Sequence, residues 1–420
     1  MICLDICRGA ACCARQKNSH LRKFTGAASG APTKKQYRRN ETVSKPAYLA
    51  LENGRVFEGE FFGADKDITG EIVFNTGMTG YIETLTDSCN FGQIVLQTFP
   101  MVGNYGVISG DFESSSIKAS AYIVKEWCED PSNFRSEGNL DAFLKAENIT
   151  GLYGTDTREI TKIIRENGVM NAKITGDINN IDLDEIKNYK ITDAVKNVSC
   201  KEIKIYMGEQ FVGATLRGRP DKYKVVLLDF GVKTSAKLPL LIRGCDVYIV
   251  PYNTTIEQVK ALNPDGIMLS GGPGNPEDNV EVIDNLQEIV KLNIPIFAIG
   301  LGHQMLALAH GFKTQKLKYG HRGANQPVKN LNDGKVYITS QNHGYAVTPE
   351  SIDESVAQMM FGNVNDKTCE GIKYNNKIMF STEFYPEAID SPGSTGFLYD
   401  EFIKIIELRS IMEEKNNASR

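Results

Sequence analysis

The feature that most limits how this chain can fold is a rhythm between residues 224 and 299. Four short apolar runs, 224–228 (KVVLL), 246–250 (DVYIV), 266–269 (GIML) and 295–299 (PIFAI), alternate with helix-like stretches at 234–243, 255–262 and 281–292. Continuous apolar runs this short fit strands buried on both faces. Strands alternating with helices build a doubly wound, mostly parallel sheet covered on both sides. Ligands bind such sheets beyond the carboxyl ends of the strands. The loops after Leu269 and Ile299 are therefore where a site is expected.

Both loops carry unusual composition. The first reads Ser270-Gly271-Gly272-Pro273-Gly274-Asn275-Pro276. Its glycines let backbone approach a ligand closely and aim N–H groups at an oxyanion. No Gly-Lys-Ser/Thr follows, so it is not a phosphate-binding P-loop. Taken alone it reads equally well as a tight turn. The second, Phe297-Ala298-Ile299-Gly300-Leu301-Gly302-His303-Gln304, is a strand, a small-residue turn and a helix start. That order makes a nucleophile elbow, in which the N–H after the elbow residue helps form an oxyanion hole. Two further segments stand out downstream: Ser340-Gln341-Asn342-His343-Gly344-Tyr345 and Phe384-Tyr385-Pro386-Glu387-Ala388.

The preceding half has a different style. Short strand candidates at 48–51, 71–74, 93–99 and 119–124 accompany helix candidates at 140–146 and 156–166, the second with Ile160, Ile163 and Ile164 on one face. This reads as an α+β domain over 47–205, joined by a Gly-, Arg- and Pro-bearing linker at 206–222 to a second domain at 223–420. Residues 1–46 stand apart. They hold ten Lys or Arg against Asp5 and Glu41, and this net +8 set against the chain's −5 leaves −13 for the other 374 residues. A basic, acid-poor start reads as an organellar transit peptide, as a disordered tail, or as the result of an upstream start codon chosen in error.

Composition removes several classes of function. At 420 residues with 41% hydrophobic and 24% charged side chains, the chain can bury two or three cores. Its slightly acidic balance gives no general attraction to nucleic acid or anionic membrane, and no apolar run reaches the ~18 residues of a membrane span. Nine cysteines fall without regular pairing and without a Cys-x-x-Cys pair. Neither a disulfide scaffold nor a zinc site is expected, and a reducing compartment fits: the cytoplasm, or an organelle if residues 1–46 act as a transit peptide.

The four downstream blocks, in this order and spacing, resemble the class I, triad-type glutamine amidotransferase domain. The run Gly320-His321-Arg322-Gly323-Ala324-Asn325 narrows the resemblance to the small subunit of carbamoyl phosphate synthase. The first half agrees through Asn75-Thr76-Gly77-Met78-Thr79-Gly80-Tyr81, Gly103-Asn104-Tyr105-Gly106 and Gly154-Thr155-Asp156-Thr157-Arg158, as does Asp229-Phe230-Gly231-Val232-Lys233. The likeness runs from about Tyr48 to Glu407. It implies an N-terminal α+β domain followed by a doubly wound amidotransferase domain. It also implies L-glutamine as substrate and a large-subunit partner that uses ATP and magnesium with bicarbonate. The resemblance further implies no cofactor and no metal in the subunit itself, and a product that feeds arginine and pyrimidine synthesis.

In that family a Cys at the elbow is the nucleophile, a His its base, and a Glu orients the His. By the same resemblance the three positions fall on Gly300, Tyr385 and Glu387, so only the Glu is kept. Glycine offers no nucleophile, and tyrosine, with an ordinary pKa near ~10, is a poor base at neutrality. Cys245 is expected at the amino end of a strand, away from the site, and His303 and His343 are not the family's base. The glutamine-pocket positions carried over are Gly77, Gly272, Gly274, Leu301, Gln304, Asn342, Gly344 and Tyr345, with the Gly272 and Leu301 amides as the oxyanion hole. Three readings follow: a synthase subunit whose own glutaminase step is lost, a non-catalytic glutamine-binding or scaffolding paralogue, or an ordinary enzyme carrying introduced substitutions.

Overall fold

A computed structural model describes residues 45–208, 223–375, 377–386 and 395–418, within one compact unit spanning Ser44–Arg420. The basic extension and most of the linker lie outside the described residues, as does Glu387.

Seven strands of the first half close into a barrel. Pro46–Leu51 pairs with Val56–Gly63, and the order continues through Thr150–Tyr153, Ala121–Ile123, Gln93–Gln97, Ile68–Asn75 and Met170–Thr175, which returns to the first strand. The two-residue period of the strands sorts their side chains. Ile72, Phe74, Ile94 and Leu96 join one core with Ile160, Ile163 and Ile164 of helix Thr157–Asn167, while Val73 and Val95 join a second with Ile82 and Leu85. Asp156 starts that helix by accepting a hydrogen bond from the Glu159 N–H at 2.9 Å. The expected strands and both helices are present. Val56–Gly63, Thr150–Tyr153 and Met170–Thr175 were not expected: glycines interrupt the first two, and Met170–Thr175 buries Lys173, which pairs with Glu185 at 2.8 Å.

The second half is one ten-stranded sheet. Its centre is five parallel strands in the order Asp246–Pro251, Lys224–Asp229, Gly266–Leu269, Ile296–Ile299, Met379–Thr382. Val226, Leu228, Ile267 and Leu269 face helices Ile256–Leu262, Val280–Ile289 and Leu301–Ala309, and Val225, Leu227, Met268 and Phe297 face Thr234–Ile242 and Phe397–Ala418. Burial on both faces is why these strands read as unbroken apolar runs. The sheet is mixed beyond this centre. Lys204–Tyr206 adds an antiparallel edge, and Cys369–Tyr374, Ala357–Asn363, Thr314–Asn330 and Val336–Val347 extend the other side antiparallel. That extension was not anticipated.

Barrel and sheet meet along a polar seam. The Val169 N–H donates to the Lys318 carbonyl at 2.7 Å, Lys316 pairs with Glu71 at 2.7 Å, and Thr76 donates to the Arg322 carbonyl. Glu113 acts as a cap supplied from the other domain. Its carbonyl takes the Thr234 N–H at 2.8 Å, and its carboxylate takes the Ser235 N–H at 3.0 Å and hydroxyl at 2.9 Å at the start of helix Thr234–Ile242. A negative group at a helix N-terminus satisfies orphan amides and the helix dipole together. Glu113→Ala should lower unfolding stability by roughly 1–3 kcal/mol, the usual penalty for orphaning such donors. The check is a lower denaturant midpoint at unchanged slope, with Glu113→Gln recovering part of it.

Candidate active site

The site is built at the carboxyl ends of the parallel strands. After Lys224–Asp229, the Asp229 carboxylate takes the Gly231 and Val232 amides at 2.9 and 2.8 Å and so shapes a turn. After Gly266–Leu269, the glycine loop lies against this turn. A Cβ on Gly272 would stand 2.2 Å from the Phe230 carbonyl oxygen, so glycine is obligatory there. The Gly302 N–H donates to the Ser270 carbonyl at 3.1 Å and ties the loop to the next helix. The Gly272 and Leu301 N–H groups donate no hydrogen bond among the described residues.

Gly300 forms the turn between Ile296–Ile299 and Leu301–Ala309, with φ +53° and ψ −119°. This is the strained strand-to-helix turn of an elbow, which costs a side-chain-bearing residue about 1–3 kcal/mol. The space for a side chain is nevertheless present. A Cβ there would lie 3.4 Å from Gly271 Cα, 3.8 Å from the Glu383 carbonyl and 3.9 Å from Tyr385 Cε1. The Tyr385 ring thus stands beside the elbow. Its N–H donates to the Ser340 carbonyl at 3.0 Å, and its hydroxyl meets Cys89 Sγ at 3.0 Å and the Asn342 carbonyl at 3.4 Å. The Lys233 ammonium sits 4.0 Å from the ring centre.

A cavity of about 530 Å³ opens here, lined by Gly300, Tyr385, Gly272, Gly274, Leu301, Gln304, Asn342, Gly344 and Tyr345. The structure therefore brings together all but two of the residues expected at the site. Gly77 lines a neighbouring cavity of about 350 Å³ that shares Asn342 and Tyr385 with the first, and its N–H is taken by Asn75 at 2.7 Å. Glu387 falls outside the described residues. The Asn342 side-chain amide points to the barrel, donating to Asp87 at 2.9 Å and Asn90 at 3.1 Å.

The cavity is also lined by residues not expected at the site, among them Cys89, Lys316 and Arg322. Cys89 belongs to the barrel domain and no motif surrounds it; only the fold sets it beside Tyr385, 296 positions away. Burial and the nearby Asp87 carboxylate push its thiol pKa well up, against the weaker pull of Tyr385 and Lys233. It is therefore a thiol rather than a thiolate near neutrality. Cys245 is fully buried at the amino end of Asp246–Pro251 and does not line the cavity.

Behind the cavity runs a buried polar network. Gln304 Nε2 donates to the Tyr345 carbonyl at 2.9 Å and to both Glu383 oxygens at 2.9 and 3.0 Å. Burial raises the Glu383 pKa well above the carboxylate range, although the Gln304 bond opposes it. Burial lowers that of His303 to about 3 and also pushes that of His343 well below the usual imidazole value. His321 goes the other way: burial lowers it, but Asp366 and Glu370 outweigh that and raise it to about 9. His321, His343 and Glu370 place ligand-type atoms within 4.8 Å of one another, the grouping among the described residues that could hold a metal. Both His343 nitrogens are already occupied, by the Tyr345 carbonyl at 2.7 Å and Gln341 at 3.1 Å. An ion would have to displace these bonds.

Burial of the Glu383 carboxyl, which disfavours its charged form, has a pH signature. Because its folded pKa is raised, its favourable term is full below about pH 4.5 and is lost as pH rises above that value. Glu383→Gln removes the term, so wild type should lose stability relative to this variant as pH rises above about 4.5 in thermal melts. Glu383→Leu, which leaves one Gln304 N–H without its carboxyl partner, should cost roughly 1–3 kcal/mol relative to Glu383→Gln at every pH.

Comparison with known proteins gives two family matches. Residues 49–174 match the carbamoyl-phosphate synthase small chain, CPSase domain, and residues 226–405 match glutamine amidotransferase class-I. The carbamoyl phosphate synthase small chain of Fusobacterium nucleatum subsp. nucleatum is 46% identical over 361 residues, covering 86% of this chain and 98% of its own length. That of Streptococcus pneumoniae serotype 4 is 46% identical over 363 residues, covering 86% and 97%. That of Bacillus caldolyticus is 44% identical over 358 residues, covering 85% and 96%. The elbow and the cavity at the domain seam thus sit in a chain that belongs to the carbamoyl phosphate synthase small-chain family, with a class I glutamine amidotransferase domain.

Proposed function

We propose that this chain serves as the small subunit of carbamoyl phosphate synthase, that it retains the glutamine pocket, and that it has lost its own glutamine hydrolysis. The observation that carries the reading is the pair Gly300 and Tyr385, side by side at the elbow and with no nucleophile between them. Glutamine hydrolysis by this family's chemistry needs a thiolate to attack the amide carbon. A tetrahedral oxyanion forms, ammonia leaves with a proton from the base, and water then releases glutamate from the thioester. Glycine supplies no sulfur. Cys89, the thiol that does line the cavity, is held neutral and bonded to the Tyr385 hydroxyl. What remains is the oxyanion pair at Gly272 and Leu301, and in a well-studied hydrolase, binding and an oxyanion hole alone retain only ~10³–10⁴-fold over water.

In this reading the large subunit binds ATP and magnesium and makes carbamoyl phosphate from bicarbonate and free ammonia, for arginine and pyrimidine synthesis in the cytoplasm. The retained pocket also supports a second reading, a glutamine-binding or scaffolding paralogue without catalysis. The first prediction is tested by reconstituting the chain with a large subunit and comparing nitrogen donors. Ammonium should support synthesis, and glutamine should support less than about a thousandth of the rate expected with an intact triad. Synthesis from glutamine at a rate matching ammonium would refute the loss. No synthesis from either donor, with glutamine still bound, would favour the paralogue.

Restoring the triad gives a second prediction. Gly300→Cys with Tyr385→His should regain glutaminase activity by at least about a hundredfold, at a stability cost of about 1–3 kcal/mol for the strained elbow. Either change alone should not, because nucleophile and base act as a unit. Cys89→Ser should leave the residual rate of the unaltered chain unchanged.

A further inference from the structure

The cavity contains a buried cation for which the fold supplies no counter-ion. Arg322 is 5% exposed and lines the cavity between barrel and sheet. Its Nη1 donates to the Tyr319 carbonyl at 2.7 Å. Its Nε is buried with no hydrogen-bond partner, Nη2 donates no hydrogen bond among the described residues, and no carboxylate there lies within ion-pair distance. Glu71 exerts the main favourable charge effect on Arg322, but its carboxylate is already held by Lys316 at 2.7 Å and Gln93 at 2.9 Å.

An uncompensated buried guanidinium is costly, and a chain keeps one only where something offsets the cost. The position of Arg322 says what that is. Nη2 packs against Gly344 so closely that a Cβ on Gly344 would lie 3.1 Å from it. In the antiparallel register Arg322 stands directly opposite Asn342. Gly344, Asn342 and Arg322 therefore form one wall of the cavity, which the Gly272 and Leu301 amides also line. A guanidinium presents several donors in a planar fork that matches a carboxylate.

We propose that Arg322 is a carboxylate-binding residue of this cavity, receiving the α-carboxylate of an amino-acid ligand whose side-chain amide faces the oxyanion pair. This rests on the reading of the cavity as a retained glutamine pocket. It adds a charged anchor to a pocket otherwise expected to bind through backbone and neutral side chains. It also makes ligand-free protein and ligand-bound protein respond oppositely to loss of the charge.

The test uses the full chain and two kinds of variant, Arg322→Met and Arg322→Lys. Calorimetry should show wild type binding L-glutamine at least tenfold more tightly than its α-amide, in which the carboxylate is replaced by a neutral group. Arg322→Met should weaken glutamine by ten- to a hundredfold and erase the preference, and Arg322→Lys should recover part of both. Without ligand, the melting temperature of Arg322→Met should equal or exceed that of wild type, because a buried unpaired charge has gone. A purely structural arginine would instead lower it. Undiminished glutamine binding by Arg322→Met, or a carboxylate preference that survives in it, overturns the proposal. If wild type binds no glutamine, the pocket reading fails and acetate decides the role of Arg322. Acetate should then raise the melting temperature of wild type and not of Arg322→Met, and an equal response in both overturns the proposal.

Discussion

The site depends on one turn of backbone. Gly300 leaves the strand Ile296–Ile299 with a positive φ, its N–H donating to the Thr382 carbonyl at 2.9 Å and its carbonyl accepting from Gln304 at 3.1 Å. Those two bonds aim the helix Leu301–Ala309 and leave the Leu301 amide facing the cavity. Gln304, in the first turn of that helix, donates to both Glu383 oxygens. The geometry of the turn is independent of the side chain that usually exploits it. A chain can therefore lose the nucleophile and keep the elbow, and glycine is the residue that keeps it with least strain. In the proposed reading, loss of the nucleophile and retention of the turn are, at this position, the same substitution.

The other half of the site is supplied across the seam. Asn342 is held by Asp87 and Asn90, Tyr385 meets Cys89, and the backbone of Arg322 is fixed by Thr76, every one of these partners belonging to the barrel. The cavity is therefore a property of both domains together. Tyr385 illustrates the consequence. Its ring sits where the elbow side chain would reach, and its hydroxyl is engaged by groups from the barrel and from Val336–Val347.

How much of this could be read from the sequence follows from burial. The parallel strands are covered on both faces, so Lys224–Asp229, Gly266–Leu269 and Ile296–Ile299 appear as continuous apolar runs, and the helices between them keep their spacing. The glycine loop and elbow were legible because their conformations demand small residues. The hairpin Thr314–Asn330 with Val336–Val347 was not legible as strands. It carries Arg322, Asn342, Gly344 and Tyr345 toward the cavity, so polar and functional side chains occupy positions where apolar alternation would have announced a sheet. Cys89 and the uncompensated charge of Arg322 have no local signature at all. Their meaning lies in which groups stand near them, and that is set by pairings more than 200 residues apart in the chain.

The central claim is that this cavity binds glutamine without breaking its amide bond. A crystal structure of the full chain soaked in glutamine tests it most directly. The account predicts intact, non-covalent glutamine, its amide oxygen within hydrogen-bond distance of the Gly272 and Leu301 amides and no bond from any cysteine. A thioester on Cys89, or glutamate in place of glutamine, would contradict it.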